Sequence, residues 1–402
     1  MPEEKKDGLM TKVENKILDF IEKKKEIIAI VFFAMLGLII RYYFRDYKTS
    51  DYNGFLEIWF NEIKEGGGFK GIAHYTGNYN YAYVTILAFL TYLPISSLYT
   101  IKFVSVIFDV LCAVAIGLLV KEVTGKKQYF SLAFGITFLW PTVMFNSAYW
   151  AQCDAIYTTF IVLSILFLLK ERYPISFILI GIGVAFKLQA VFILPLFVLV
   201  YFVNRKFSIL NFLYAPLGTL IFSLPGMILS KGGLSGFINT YVGQMNDSDM
   251  LTKNFPNIYY WISANHYELF NRVGILFTVV VLFSVYYIVY GKAKELSNGQ
   301  ILSMALWTIL CLVYFLPNMH ERYGYAAEVL CIAWAFKNKR WAWYPILMET
   351  IILFCYFSVI FGYNLYLFQN MGAVNIAAFV FFSIHILRDI CAGSDGSKEQ
   401  VE

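Results

Sequence analysis

Charge is scarce in this sequence. Asp, Glu, Lys and Arg make up 15% of its 402 residues, against about 25% in an ordinary soluble domain. That shortage excludes a solvated or disordered chain. Histidine is rarer still, with four copies. The six cysteines, Cys112, Cys153, Cys311, Cys331, Cys355 and Cys391, form no CxxC pair. Five of them sit in or beside apolar runs, so they read as small packing residues rather than metal or redox groups. Also missing are HExxH, GxSxG, a P-loop, a dinucleotide-binding glycine pattern and any acid cluster with metal-site spacing. The expectation is therefore no metal and no cofactor. No low-complexity segment or internal repeat stands out. The opening "MPEEKKDGLMTKVENKILDFIEKKKE" is polar, and no small-residue cleavage site follows the first apolar run, so no cleavable leader is expected. The net charge of +5 lies in short loops, which speaks for membrane orientation and against nucleic acid.

What fills the sequence is apolar: 59% hydrophobic residues, and 19% aromatic. Runs of roughly 20 such residues suit membrane-crossing helices. They fall at 27–44, 101–120, 128–145, 151–169, 174–187, 188–203, 209–229, 273–290, 299–316, 320–336, 343–361 and 371–388. The fold class predicted is an all-α polytopic membrane protein, a bundle of about 12 transmembrane helices plus external amphipathic helices. The organisation runs as a cytoplasmic tail 1–26, a transmembrane module 27–229 with an external loop 45–100, an external loop 230–272, a second transmembrane module 273–390, and a cytoplasmic tail 391–402. The apolar stretch 81–97 ends in polar loops and is read as interfacial or half-buried. Seven lysines precede the first run, which places the N-terminus in the cytoplasm. With 81–97 kept outside, "KEVTGKK", "KER", "NRK", "GKAK" and "KNKR" all fall inside, and the C-terminus does too. The stretch 175–202 is long for one helix and short for two, so it reads as a hairpin with Lys187 and Gln189 near its tip.

This topology gathers the polar chemistry on the external side. Lys187, His320 and Arg322 would make a cationic pocket at the membrane surface, suited to a lipid phosphate. A lysine at a hairpin tip within the membrane needs water or an anionic partner. The acids come from elsewhere. Asp51 precedes an amphipathic helix on which Phe55, Leu56, Trp59, Phe60 and Ile63 recur at helical spacing, a helix expected to lie on the membrane. Ser50 or Asp51 stands where its N-cap would be, so Asp51 has two compatible readings, cap and proton acceptor. Asp154 stands at the start of another apolar run, flanked by Trp150, Gln152, Cys153 and Tyr157. Glu321 either pairs with Arg322 or joins the site. Asp109 lies mid-run and calls for a structural partner, a Lys or Tyr on a neighbouring helix. The loop 230–272 carries Asp247, Asp249, His266 and Glu268 and the aromatics Tyr259, Tyr260 and Trp261. It is read as a lid or binding loop, or as an interfacial anchor.

Four stretches, "SDYNGFLEIW", "YWAQCDAIY", "AFKLQAVFILPL" and "PNMHERYGYAAEVL", together resemble the GT-C superfamily of polytopic glycosyltransferases. The nearer likeness is to bacterial membrane mannosyltransferase-like proteins related to the GPI-anchor mannosyltransferases. The resemblance implies a plasma-membrane enzyme with an extracytoplasmic site. It would move a hexose, with inversion, from a polyprenyl-phosphate-linked donor such as an undecaprenyl phosphate sugar to a glycan, glycolipid or protein hydroxyl. It also implies a catalytic first-loop aspartate, here Asp51 with Asp46 as a second candidate. Lys187, His320 and Arg322 would hold the donor phosphate, and Asp154, Gln152, Gln189, Glu321 and Tyr323 would contact substrate. The first loop reads "YTGNYNYAY" where relatives often have a Pro-rich turn. Beside this stand two other readings, a lipid-linked polysaccharide polymerase or ligase, and a transporter or flippase of lipid-linked sugars. Membrane lipids are partners in all three.

Overall fold

A computed structural model of the protein describes residues 12–245, 249–362 and 368–395. Its helices are, in order, α1 (Lys12–Tyr43), α2 (Glu57–Glu65), α3 (Tyr81–Leu90), α4 (Ser97–Thr124), α5 (Tyr129–Phe138), α6 (Pro141–Met144), α7 (Asp154–Leu169) and α8 (Tyr173–Phe186). After them come α9 (Leu194–Asn204), α10 (Tyr214–Leu229), α11 (Gly233–Met245), α12 (Tyr267–Lys292), α13 (Asn298–Phe315), α14 (Tyr325–Lys337), α15 (Trp343–Phe361) and α16 (Phe368–Asp395). Two short strands, β1 (Thr252–Lys253) and β2 (Met319–His320), pair in parallel.

Seven helical segments are long and apolar enough to cross a membrane, and the α5–α6 pair, bent by 54°, makes an eighth if read as one span. The chain is thus a multi-pass, all-α membrane protein, with fewer spans than the dozen apolar runs suggested. The shortfall lies in α7, α8, α9 and α14, which have 16, 14, 11 and 13 residues. At a rise of about 1.5 Å per residue the longest covers roughly 24 Å, short of a hydrocarbon core of about 30 Å. These helices are apolar because protein surrounds them: Ile161, Ile165, Phe177, Ile180, Leu196 and Trp334 are buried in the main core. Hydropathy cannot tell a lipid-facing run from a core-facing one.

Local chemistry sets the breaks. Ser96 caps α4 by accepting from Tyr99 N, and Gly125 ends it at φ +69°. Ser297 and Gln300 form a reciprocal capping box at the start of α13. Pro141 lacks an N–H to continue α5, which explains the bend there. The polar stretch before residue 26 is not all tail, because α1 already begins at Lys12.

α8 and α10 approach backbone to backbone. A Cβ on Gly181 would lie 2.0 Å from the Ala215 carbonyl oxygen, and one on Gly218 would lie 2.6 Å from that of Ile178. Small residues permit this close packing in membranes. Gly181→Ala is expected to cost about 1–3 kcal/mol by overpacking, read as a lower thermal unfolding midpoint in detergent. Gly291→Ala, where a Cβ meets nothing within 4 Å, is expected to leave the midpoint unchanged or raise it. Equal midpoints for the two variants would refute the packing argument.

The first loop is fastened to α4. Lys102, buried near the start of α4, donates to the carbonyls of Phe44, Arg45 and Tyr47 at 2.9, 3.3 and 2.6 Å and so closes the end of α1. The Tyr52 hydroxyl lies 2.7 Å from Ser97 Oγ. The helix after Asp51 spends much of the apolar face its pattern reserved for the membrane on protein instead. Leu56, Phe60 and Ile63 are buried against Tyr83, Val84 and Leu87 in a second core, and Phe55 is left exposed. Its cap differs too: Thr49 Oγ1 accepts from Tyr52 N at 3.3 Å, while Asp51 makes no side-chain cap bond. The mid-helix Asp109 pairs with Arg41 of α1 rather than with a Lys or Tyr.

Candidate functional site

At the end of the bundle where α1 stops and α4, α7 and α14 begin, a cleft of about 700 Å³ opens. Every sequence-predicted site residue except Asp154 and the alternative Asp46 lines it: Asp51, Gln152, Lys187, Gln189, His320, Glu321, Arg322 and Tyr323. Asp154 sits directly behind, 1% exposed. Asp46, the other first-loop candidate, is not in the lining. It pairs with Arg45 at 3.1 Å and accepts from Tyr99 at 2.5 Å, and its side chain is 58% exposed.

Asp154 holds the site together. Its Oδ1 is bound by Lys187 Nζ. Its Oδ2 accepts from Asn146 Nδ2 at 2.8 Å and from Arg322 Nη1 at 3.3 Å. The lysine at the hairpin tip therefore has the anionic partner that its position demands. Lys187 is an extended residue (φ −155°, ψ 133°) at the break between α8 and the 3-10 turn Leu188–Ile193. That break aims its side chain at the start of α7. Gln189 follows in the turn, and its side-chain oxygen is buried with no partner among the described residues.

Arg322 is the hub on the opposite wall. Nη1 donates to Gln152 Oε1 at 2.7 Å, Nε donates to Glu321 Oε1 at 3.1 Å, and the guanidinium lies 5.0 Å from the Trp150 ring centroid. Burial opposes its charge, but Asp154 and Glu321 outweigh burial and raise its pKa well above the usual arginine value. Nη2 has no partner among the described residues. Residues 320–336 were expected to form one span, with its first amides near His320. Instead α14 begins at Tyr325, and His320 lies in β2, where parallel pairing sets it beside Lys253. Burial first, then the charges of Arg322, Lys253 and Lys187, push the His320 imidazole down to about 3. The expected third cation is thus a neutral ring. Burial also pushes the Glu321 carboxyl up, and the neighbouring Arg322 only partly offsets that.

Asp51 faces this group across the cleft. Its Oδ2 accepts from Trp150 Nε1 at 2.9 Å and from Gln152 Nε2 at 3.4 Å. Its Oδ1 has no partner among the described residues. Gln152 touches both sides, because its Oε1 takes Arg322 Nη1 and a 3.3 Å bond from the Tyr79 hydroxyl. Ala151, at φ +60°, turns the chain between Trp150 and Gln152 so that both side chains reach Asp51. The cleft is not simply cationic: Lys187, Lys253 and Arg322 meet Asp51, Asp154 and Glu321.

Sequence reasoning passed over Lys253, Asn146 and Tyr79. Lys253 lies in the loop read as a lid, but only the strand pairing with residues 319–320 shows where it goes. Of the loop's aromatics, Tyr260 lines the cleft, Tyr259 is buried and bonds the Phe315 carbonyl, and Trp261 is half exposed. Asp247 lies outside the described residues. Among the described residues no group of three or more His, Cys, Asp or Glu side chains is placed to hold a metal ion. No protein-family model matches the chain, and no curated protein matches it.

Proposed function

We propose that this protein is an inverting membrane glycosyltransferase that moves a hexose from a polyprenyl-phosphate-linked donor to an acceptor hydroxyl on a glycan, glycolipid or protein. The observation that supports this most is the cleft itself. One carboxylate oxygen, Asp51 Oδ1, has no partner among the described residues, and Gln152 ties that carboxylate to a guanidinium whose Nη2 likewise has none among them. A proton acceptor and an anion donor set are thereby held in fixed relation.

In the proposed step the acceptor hydroxyl gives its proton to Asp51 Oδ1 as its oxygen bonds the anomeric carbon. The bond from that carbon to the phosphate oxygen breaks on the opposite face, and its electron pair leaves with the polyprenyl phosphate. Arg322 Nη2, Lys253 and the neutral His320 ring meet the growing negative charge, while Lys187 stays on Asp154 and keeps the wall rigid. Trp59, Tyr79 and Tyr260, which also line the cleft, offer ring faces to the sugar. No metal or cofactor enters the proposal. The Lys-rich helix ends lie away from the cleft, which supports an extracytoplasmic site in the plasma membrane with both termini cytoplasmic. The flippase reading has less behind it, because Asp109, the carboxylate a gate would use, is locked to Arg41 outside the cleft.

The test is a panel of radiolabelled polyprenyl-phosphate hexoses given to the protein in proteoliposomes with a mixture of acceptor glycans and glycolipids. Label is expected in the acceptor, with free polyprenyl phosphate as the other product. Flipping of the donor between leaflets with no bond broken would replace this reading with transport.

A further inference from the structure

The end of the bundle away from the cleft carries a second cavity, of about 480 Å³. It lies where α4 and α14 finish and α5 starts, so that α14 separates it from Arg322 and Tyr323 of the cleft, which precede that helix. Four cations line it, Lys126, Lys337, Lys339 and Arg340, and no carboxylate does. None of the four forms an ion pair with a described residue. Two lysines of neighbouring loops are paired, Lys170 with Glu122, and Lys206 with Glu171 and Glu295. The walls are aromatic. Lys126 and Lys339 stand 5.3 and 5.4 Å from the Tyr129 ring centroid on separate loops. Trp341 lies against His385 at 4.8 Å.

Cations converging from two loops repel one another, so the fold bears a cost that an anion would remove. The arrangement also suits one chemistry. An arginine fork and lysine point charges around a cavity of headgroup size match the several oxygens of a phosphate. Trp341 and the exposed Trp343 stack beside it at 5.4 Å, as aromatic residues do at a membrane border. Basic pockets between membrane helices hold lipid headgroups by this means.

We infer that this cavity is a second, regulatory or structural binding site for a phosphate-bearing anion, separate from the cleft. The phosphate could be the headgroup of an anionic lipid or part of a soluble phosphate ester, and both share the recognition just described. The inference does not rest on the transferase reading, and neither falls with the other.

The test compares the full chain with the Lys339→Gln/Arg340→Gln variant, whose two positions are exposed at a turn. Thermal unfolding is followed in phosphatidylcholine nanodiscs, in nanodiscs that also contain phosphatidylglycerol, and in phosphatidylcholine nanodiscs with added inorganic pyrophosphate. Native mass spectrometry counts retained phosphatidylglycerol. A raised midpoint and retained lipid in the second arm, weakened about tenfold or more in the variant, identify a lipid headgroup. A raised midpoint confined to the pyrophosphate arm, and lost in the variant, identifies a soluble phosphate. Equal responses of parent and variant in both arms overturn the inference. Lys64→Gln, on α2 at the cleft end, is the control for loss of charge alone and is expected to respond like the parent.

Discussion

Asp51→Asn is expected to suppress the proposed sugar transfer while donor binding survives. The expected loss is about 10²–10⁴-fold in the rate of the chemical step, the range for removing a positioned general base. The change is small in shape. The asparagine oxygen still accepts from Trp150 Nε1, which Asp51 meets at 2.9 Å, so the wall of the cleft stays as it is. What vanishes is the ability of the second oxygen to take a proton. Binding of a non-transferable donor analogue, followed by calorimetry, is expected to change little, because the phosphate side of the cleft is untouched. Asp46→Asn is the matched control. That side chain is exposed and already engaged by Arg45 and Tyr99, so transfer should proceed at the parental rate. If the two phenotypes are exchanged, the base is Asp46 and the geometry argued for Asp51 is wrong. If both variants are active, no first-loop carboxylate acts as base, and a polymerase or ligase that needs none becomes the better reading.

Sequence favoured Asp51 over Asp46, because Asp46 follows Arg45 and was expected to pair with it, as it does. Their separation depends on Thr49. By taking the cap position it releases the Asp51 carboxylate from the backbone and lets it turn to Trp150. A cap decided among Thr49, Ser50 and Asp51 is a matter of one residue of register, below what spacing can resolve. Other features were legible because they are local. The break at Lys187 and the apolar start of α7 after Asp154 are both visible as interruptions in apolar runs. Membrane-buried charge needing a partner is a rule that points to Lys187 without naming Asp154. The partner itself, 33 residues earlier, was not readable. Lys253 was hidden for the same reason, since strand pairing between residues 252–253 and 319–320 is a long-range contact with no periodic trace. The number of spans failed differently. Hydropathy measures removal from water, and a helix buried in protein satisfies it as well as one in lipid.

Breaking the Arg41–Asp109 pair is expected to cost about 3–5 kcal/mol, the range for leaving one buried charge without its partner. Arg41 Nε and Nη2 both donate to Asp109 Oδ2, at 2.9 and 2.8 Å, and the side chains are 3% and 0% exposed. The guanidinium lies 3.9 Å from the Phe138 ring centroid and its Nη1 donates to the Gly37 carbonyl at 3.2 Å, so it is fixed on three sides. Asp109→Ala leaves that guanidinium facing apolar groups, and Arg41→Ala leaves the carboxylate. The paired change Arg41→Met with Asp109→Leu removes both charges and is expected to regain most of the loss, since apolar replacements of buried pairs are often neutral. Thermal unfolding in detergent of the parent, Arg41→Met, Asp109→Leu and the paired variant gives the coupling directly. The effect should also reach the cleft. Ser147 donates to Asp109 Oδ2 at 2.5 Å. Its neighbour Asn146 holds Asp154, and Trp150, three residues on, holds Asp51. The single variants should therefore lose donor affinity as well as stability, and the double variant should recover stability more fully than affinity, because Ser147 still lacks its acceptor. Unfolding midpoints of both single variants equal to that of the parent would show that the pair is not what joins α1 to α4.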